Sequence, residues 1–380
     1  MSISWRTDFP GGNGLLLEVD ESADRPVLRF AAEPRNCPQA LWFHFRVTAL
    51  AGRAARIVLA NPEQTLGGVD WSANRPVARR QPRPWARIGT PQRLQTPGGR
   101  VEWAWDLDAG GDAVELAHCF PYQLADLDAT LDELGGAFQK TMIGLTLGSR
   151  PLPRVFSSLP DAGRPAVMLT ARHHAGETPG SWVLDGLLRH VAAEKRLYES
   201  ITWWAVPIVD LDDAIAGSYG KDPWPHDCNR AYGPPGPRRP EVGAVQRDAE
   251  RLKGAAKRVF FADIHAPGHG EQANYVPLRG WDPDSPANPI AEEFALAFQA
   301  ACPEDIRSPT SHVAPSPTAF IYAGMSSRTW AQTVLGAEAI SLEISYQGNG
   351  TTYYGMDDYH RLGAALAQAI SARLLGSGKQ

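Results

Sequence analysis

The rhythm of hydrophobic and polar positions changes near residue 120. Before it, short apolar or alternating runs such as "GLLLEV", "PVLRFAA", "ALWFHFRVTAL", "AARIVLAN" and "GRVEWAWDL" are separated by Gly, Pro, Asn and Asp clusters at short spacing. Period-two alternation sends successive side chains to opposite faces of a strand, and many short strands with frequent turns predict an antiparallel β-sandwich over residues 1–118. After it, strand-like apolar runs alternate with helical ones: "PAVMLTA", "SWVLDGLLRHVAAEKRLYES", "ITWWAVPIVD", "VGAVQRDAERLKGAAKR", "VFFADIHA". This order predicts an α/β unit with a largely buried sheet over residues 119–380. The segments "NPIAEEFALAFQAAC" and "DDYHRLGAALAQAISARLL" carry apolar residues at helical spacing and read as core-facing helices without chemistry. The Pro/Arg-rich stretches "RRQPRPWAR" and "YGPPGPRRPE" are expected as surface loops.

Composition narrows the function classes. A chain of 380 residues is long enough for two cores, and a net charge of −5 leaves no electrostatic footprint for nucleic acid or an anionic membrane. The start "MSISWRTDFPGGNG" has neither a basic opening nor an apolar stretch, and no run approaches the roughly 18 apolar residues of a membrane span, so a cytoplasmic protein is expected. Cys37, Cys119, Cys228 and Cys302 form no Cys-x-x-Cys pair, which argues against a disulfide framework or a thiolate zinc cage. Any metal must rest on His and carboxylate.

Candidate chemistry starts at "LTARHHAGETPGSW", where His174 and Glu177 follow the end of a strand-like run. A His-x-x-Glu spacing decides little in a chain with ten histidines: His173 is the competing ligand, and Glu177 also suits the first turn of the following helix. A second strand-like run, "VFFADIHAPGHG", ends in His265 before a Gly/Pro turn, and open sheets place functional residues at the carboxyl ends of strands. Two His and one Glu would give zinc three protein ligands and leave a position for water. Asp263 beside His265 reads as a strand-end carboxylate that could orient a ligand, and His226, His269 and His312 read as solvated or supporting histidines in Gly/Pro-rich loops. "HDCNRAYG" adds Asn229 and Arg230, an amide beside a planar cation able to grip a carboxylate. In "AEAISLEISYQ", Glu343 sits in an otherwise apolar strand, a costly place for a carboxylate that is neither paired nor working.

In this order, "HHAGETPGSW", "VPIVDLDD", "HDCNRAYG", "ADIHAPGHG" and "SLEISY" resemble the zinc carboxypeptidase family, in its cytosolic carboxypeptidase-like branch. "WFHFRV" and "FPYQLADLDATLDEL" resemble that branch's N-terminal sandwich and its junction, so the resemblance spans roughly residues 40–375. It implies a mixed α/β sheet flanked by helices after an antiparallel β-sandwich, and one zinc held by His174, Glu177 and His265. It also implies Asn229 and Arg230 as holders of a terminal carboxylate, and Glu343 as the general base that serves zinc-activated water. The expected partner is a peptide or protein C-terminus, with no nucleic acid or membrane and the oligomeric state open.

Two departures from the family pattern bear on the substrate. "DLDDA" from Asp210 stands where the family commonly reads Asn-Pro-Asp-Gly, and Lys221 stands about where many relatives place the arginine that faces the scissile carbonyl, which makes it a candidate catalytic residue. The side-chain pocket of the family draws on the segment before the catalytic Glu, here "FIYAGMSSRTW"; Arg328 is a candidate for favouring an acidic terminal residue and Tyr322 for covering the substrate. Two other readings compete: an aspartoacylase-like hydrolase of small N-acyl amino acids, and a peptide-binding module without turnover. The large N-terminal sandwich and the absence of a trailing β domain weigh against the first, and Glu343 weighs against the second.

Overall fold

In the computed structural model, which describes residues 2–22, 24–234, 236, 238–282, 285–314 and 323–376, the alternating runs form two five-stranded sheets. One orders Ser4–Arg6, His44–Thr48, Val114–Ala117, Val77–Arg79 and Ala86–Arg87; the other orders Leu15–Asp20, Val27–Ala31, Ala55–Leu59, Val101–Leu107 and Gln92–Gln95. Leu28, Phe30, Ile57 and Trp105 of the second share one buried core with Phe45, Val47 and Leu116 of the first. The polar positions between them turn outward, so exposed Arg46 sits between buried Phe45 and Val47 and pairs with Glu115 on the adjacent strand. The antiparallel expectation needs one correction: Val27–Ala31 and Ala55–Leu59 run parallel. Between them the chain leaves to form His44–Thr48 in the other sheet, and the long return allows a parallel pair that a tight hairpin would forbid.

The later strands form a six-stranded mixed sheet in the order Gln139–Leu145, Pro151–Phe156, Thr202–Val206, Ala166–Ala171, Val259–His265 and Glu338–Glu343. Its last four strands are mutually parallel and its first two antiparallel. Every residue of Ala166–Ala171 and Val259–His265 is buried, which is why these runs are apolar without alternation. Val167, Leu169, Phe260 and Ile264 face a core with the helices Pro179–Ala193, Ala291–Ala301 and Met356–Leu375. Ala166, Met168, Trp204 and Phe261 face the opposite core with Pro240–Ala255 and Ser327–Thr333. Helices Pro179–Ala193 and Met356–Leu375 cross backbone to backbone. A Cβ at Gly186 would lie 2.3 Å from the His360 Cα, and one at Gly363 would lie 2.1 Å from the Val183 oxygen.

Two stretches expected as surface loops each anchor an arginine instead. Arg239 is buried, its Nε donating to Glu241 (2.6 Å) and its Nη2 to Asp210 (3.0 Å), because two buried acids need a counter-charge. Arg87 donates to the backbone oxygens of Tyr346 and Tyr354, each at 2.6 Å, and so fastens the sandwich to the segment after Glu343. Strand order reverses about Ala166–Ala171: the next strand in sequence lies on one side of it and the following one on the other. Such a reversal opens a crevice at the carboxyl ends of the strands.

Candidate active site

The crevice is built from the turn after Ala171. Arg172 adopts a left-handed conformation (φ 61°), and its fully buried guanidinium donates to the oxygens of Ala175 and Tyr122, which fixes the course of the next residues. The two adjacent histidines therefore diverge. His173 points into the protein, its Nδ1 2.8 Å from Asp263 Oδ1 and its Nε2 2.7 Å from the Tyr232 hydroxyl. His174 turns to the cleft, with Nδ1 2.7 Å from Glu177 Oε1, while His265, ending its strand, places Nδ1 2.8 Å from Glu177 Oε2. All three are buried, and their ligand-capable atoms lie within 4.8 Å of one another. Burial by itself would raise the Glu177 carboxyl, but the two imidazoles outweigh it and hold the group well below the carboxylate range.

The donor set fits a zinc ion, with two imidazole nitrogens and one carboxylate. The outer nitrogens support this: His174 Nε2 lies 3.2 Å from Asp227 Oδ2 and His265 Nε2 2.8 Å from Asp263 Oδ2. A carboxylate on each Nε2 keeps the proton there and leaves Nδ1 as the metal-facing atom. Asp263 is held in turn by Thr170 and Ser327 hydroxyls. Among the described residues Asp210, Cys228 and Glu241 also cluster, but Arg239 occupies their midst.

Glu343 ends the next strand and stands opposite His265 in the parallel register. Backbone bonds to Tyr275 on both its N–H (2.9 Å) and its oxygen (3.0 Å) fix its position, and its side chain lines the cleft with His174, Glu177 and His265. Burial pushes its carboxyl up to about 7. Asp227 caps the short turn Cys228–Arg230, accepting the Asn229 N–H at 2.6 Å. Asn229 accepts from the Ser327 N–H at 2.9 Å and holds Nδ2 2.9 Å from His265 Nε2, and both Asn229 and Arg230 line the cleft. Arg230 Nη1 donates to the Asn229 oxygen at 2.8 Å. Lys221 also reaches the cleft, its Nζ 3.4 Å from His174 Nε2. The preceding Gly220 has φ +77°, and a Cβ there would lie 2.4 Å from the Ala175 nitrogen, so only glycine lets this loop pack on the His174 turn. Asp210 caps the helix Leu211–Ala216, which the departing "DLDDA" stretch forms.

Arg328 requires a correction. It is fully buried, and its guanidinium donates to Ser285 and to Gln332 (3.2 Å) rather than to the cleft, whose wall there is Asp282 and Ser326. The expected acidic preference therefore loses its basis. Tyr322 lies outside the described residues. His269, expected as solvated or supporting, is fully buried against the sandwich, while His312 lies in the short strand His312–Val313. Sequence reasoning missed Arg172, Asp227 as the partner of His174, and Leu66, a sandwich residue that lines the cleft. Asp227 had a local signal, an acid two places before the Asn-Arg pair; Leu66 had none.

Comparison with known proteins agrees with this geometry. Residues 5–118 match the model of the cytosolic carboxypeptidase N-terminal domain. The chain is 27% identical to mouse cytosolic carboxypeptidase 3 over 189 residues, 46% of this chain and 19% of the relative. It is 24% identical to Caenorhabditis elegans cytosolic carboxypeptidase 6 over 308 residues, 72% of this chain and 66% of the relative. It thus spans less than two thirds of these relatives' lengths. Its fold matches a Burkholderia cenocepacia metallo-carboxypeptidase with a TM-score of 0.79 at 21% identity, covering 97% of this chain and 98% of that one. It also matches a Pseudomonas aeruginosa metallo-carboxypeptidase, solved with (2-guanidinoethylmercapto)succinic acid, with a TM-score of 0.76 at 20% identity, covering 99% of this chain and 100% of that one. Sandwich and sheet agree with these relatives: residues 5–118 are similar to the cytosolic carboxypeptidase N-terminal domain, and the whole chain shares its fold with solved metallo-carboxypeptidases.

Proposed function

We propose that the chain is a zinc-dependent carboxypeptidase that removes the last residue of a peptide or protein. The observation that carries this reading is the meeting, in one cleft, of the His174–Glu177–His265 donor set, Glu343 and the Asn229–Arg230 pair. Zinc held by those three residues would supply Lewis acidity and make water a source of hydroxide near neutral pH. Glu343, buried and without a cationic partner within salt-bridge distance among the described residues, is suited to take a proton from water and return it to the leaving amine. Arg230 and Asn229 would grip the free carboxylate, which sets the distance from the chain end to the bond that breaks. Lys221 would stabilise negative charge on the scissile carbonyl oxygen.

We assign the chemistry to residues 119–380 and a supporting role to residues 1–118. A cytoplasmic setting is proposed from the names of the cytosolic relatives; among the described residues no helix is long and apolar enough to cross a membrane. The test is a panel of peptides in matched pairs, with free and amidated C-termini, followed by mass spectrometry with and without a zinc chelator. Loss of single residues from free ends only, stopped by the chelator, is the expected result. Equal cleavage of amidated peptides would remove the carboxylate clamp, and cleavage of N-acyl amino acids alone would give the site to a small-amide hydrolase.

A further inference from the structure

The sandwich does more than sit beside the cleft. The turn Thr65–Gly68 closes with the Gly68 N–H donating to the Thr65 oxygen at 3.1 Å, and it carries half-buried Leu66 into the same cleft as Glu343 and His265. The turn is held from the catalytic side by His269, four residues beyond the strand-end His265. His269 stacks on Trp71 with ring centroids 4.4 Å apart and lies 2.9 Å from the Gly68 oxygen through Nε2 and 2.8 Å from Asn74 Nδ2 through Nδ1. The ring fits because residue 67 is glycine: a Cβ there would lie 2.7 Å from His269 Cδ2, and Gly67 has φ +103°.

The hydrogen bonds around this ring run in one consistent direction. The Arg75 N–H donates to Gln347 Oε1 (2.9 Å) and Gln347 Nε2 donates to Asn74 Oδ1 (3.2 Å). Asn74 must then offer Nδ2 to His269 Nδ1, so His269 is neutral with its proton on Nε2, donating to Gly68. The path crosses between sandwich and catalytic residues at each of its four steps. All the side chains in it are buried, and a buried network that is fully satisfied specifies one arrangement. An exposed leucine would need no such support; this one has it on the side that faces the metal-ligand candidates.

We propose that Leu66 is a specificity-determining side chain that contacts the apolar part of a bound peptide, and that His269 is the positioning residue that holds it there. Leu66 lines the cleft together with Pro267 and Pro277, and it alone of the three is supplied from outside the catalytic part of the chain. The first half of this inference rests on the carboxypeptidase reading; the second does not. It is tested on peptides with one common C-terminal residue and a preceding residue that is Leu, Ser or Lys. Leu66→Ala should raise KM for the Leu peptide about 5- to 20-fold, with little change for the Ser peptide, with kcat held within about twofold and with metal content intact. His269→Ala should reproduce that KM shift, the double variant should add nothing to it, and His269→Asn, which keeps a donor and an acceptor, should recover part of it. Hydrogen exchange over residues 65–71 reads the latch without turnover: His269→Ala and Gly67→Ala should lose protection, His269→Asn should retain some. Unchanged KM for all three peptides in Leu66→Ala overturns the specificity role. Unchanged exchange in His269→Ala, or KM effects that add fully, overturns the positioning role. A wild type that cleaves none of the peptides overturns the carboxypeptidase reading instead.

Discussion

Replacing Asp227 by asparagine changes one oxygen into an NH2 group, and the structure says which one matters. Oδ1 accepts the Asn229 N–H at 2.6 Å and is retained; asparagine is as good a cap as aspartate, so the turn that carries Asn229 and Arg230 should persist. Oδ2 accepts the Asp222 N–H at 3.0 Å and faces His174 Nε2 at 3.2 Å. Putting donors on this atom sets donor against donor at the Asp222 N–H, and at His174 as well unless that ring moves its proton from Nε2 to Nδ1. That tautomer removes the lone pair that faces Glu177 and a metal. Losing a carboxylate of this kind typically costs about 10- to 100-fold in metal affinity, or about 1.4–2.7 kcal/mol. Competition of the metal-free protein against a chromophoric zinc chelator measures it directly. Asp227→Asn should bind zinc about 10- to 100-fold more weakly, and the metal-free protein should still fold, with a modestly lower melting temperature because the Asp222 N–H loses its acceptor. Affinity within twofold of wild type would refute the argument that Asp227 sets the tautomer of His174.

Lys221→Ala should lower kcat by about 100-fold or more with KM nearly unchanged, since a charge used mainly in the transition state leaves ground-state binding alone; peptide kinetics with metal content in parallel check it, and near-native kcat would leave the lysine only a neighbour of His174. Glu115 is bound by Arg46 and by Arg79 (2.7 Å) in the sandwich; burial would raise its carboxyl, but His44 and the two arginines outweigh it and depress it strongly. A depressed folded pKa contributes stability above the unfolded carboxyl's value of about 4.3, lost as pH falls through the folded value. Glu115→Gln should therefore be less stable than wild type by about 1–3 kcal/mol at pH 7, with the gap narrowing below about pH 4 in denaturant titrations. Gly363→Ala should destabilise the chain by about 1–3 kcal/mol or more, because its methyl would meet the Val183 backbone oxygen, and a lowered melting temperature checks this.

Much of the fold could be read locally. Runs such as Val259–His265 are apolar throughout because both faces are buried, and Phe45-Arg46-Val47 alternates because one face is. The parallel pairing of Val27–Ala31 with Ala55–Leu59 could not, since it depends on where the intervening chain goes and not on either strand. At the site, His174, Glu177, Asn229, Arg230, His265 and Glu343 each stand in a stretch with its own pattern, and the sheet brings them into one cleft. Arg328 misled because a cation near a pocket in sequence gives no direction to its side chain; here Ser285 and Gln332 take it inward. His269 and Leu66 were hidden for a different reason: the partners of each lie some 200 residues away in the other part of the chain, so nothing beside them marks them as part of the cleft or its support.

The central claim is that a metal-holding cleft with Glu343 as its base cuts the last peptide bond. The most direct measurement compares wild type and Glu343→Gln for zinc content, affinity for a peptide with a free C-terminus, and release of its last residue. The amide keeps the shape but cannot accept a proton from water, so zinc and peptide binding should persist while release falls by about 100-fold to 10,000-fold. Release by Glu343→Gln within a few fold of wild type, at equal zinc content, would contradict the account.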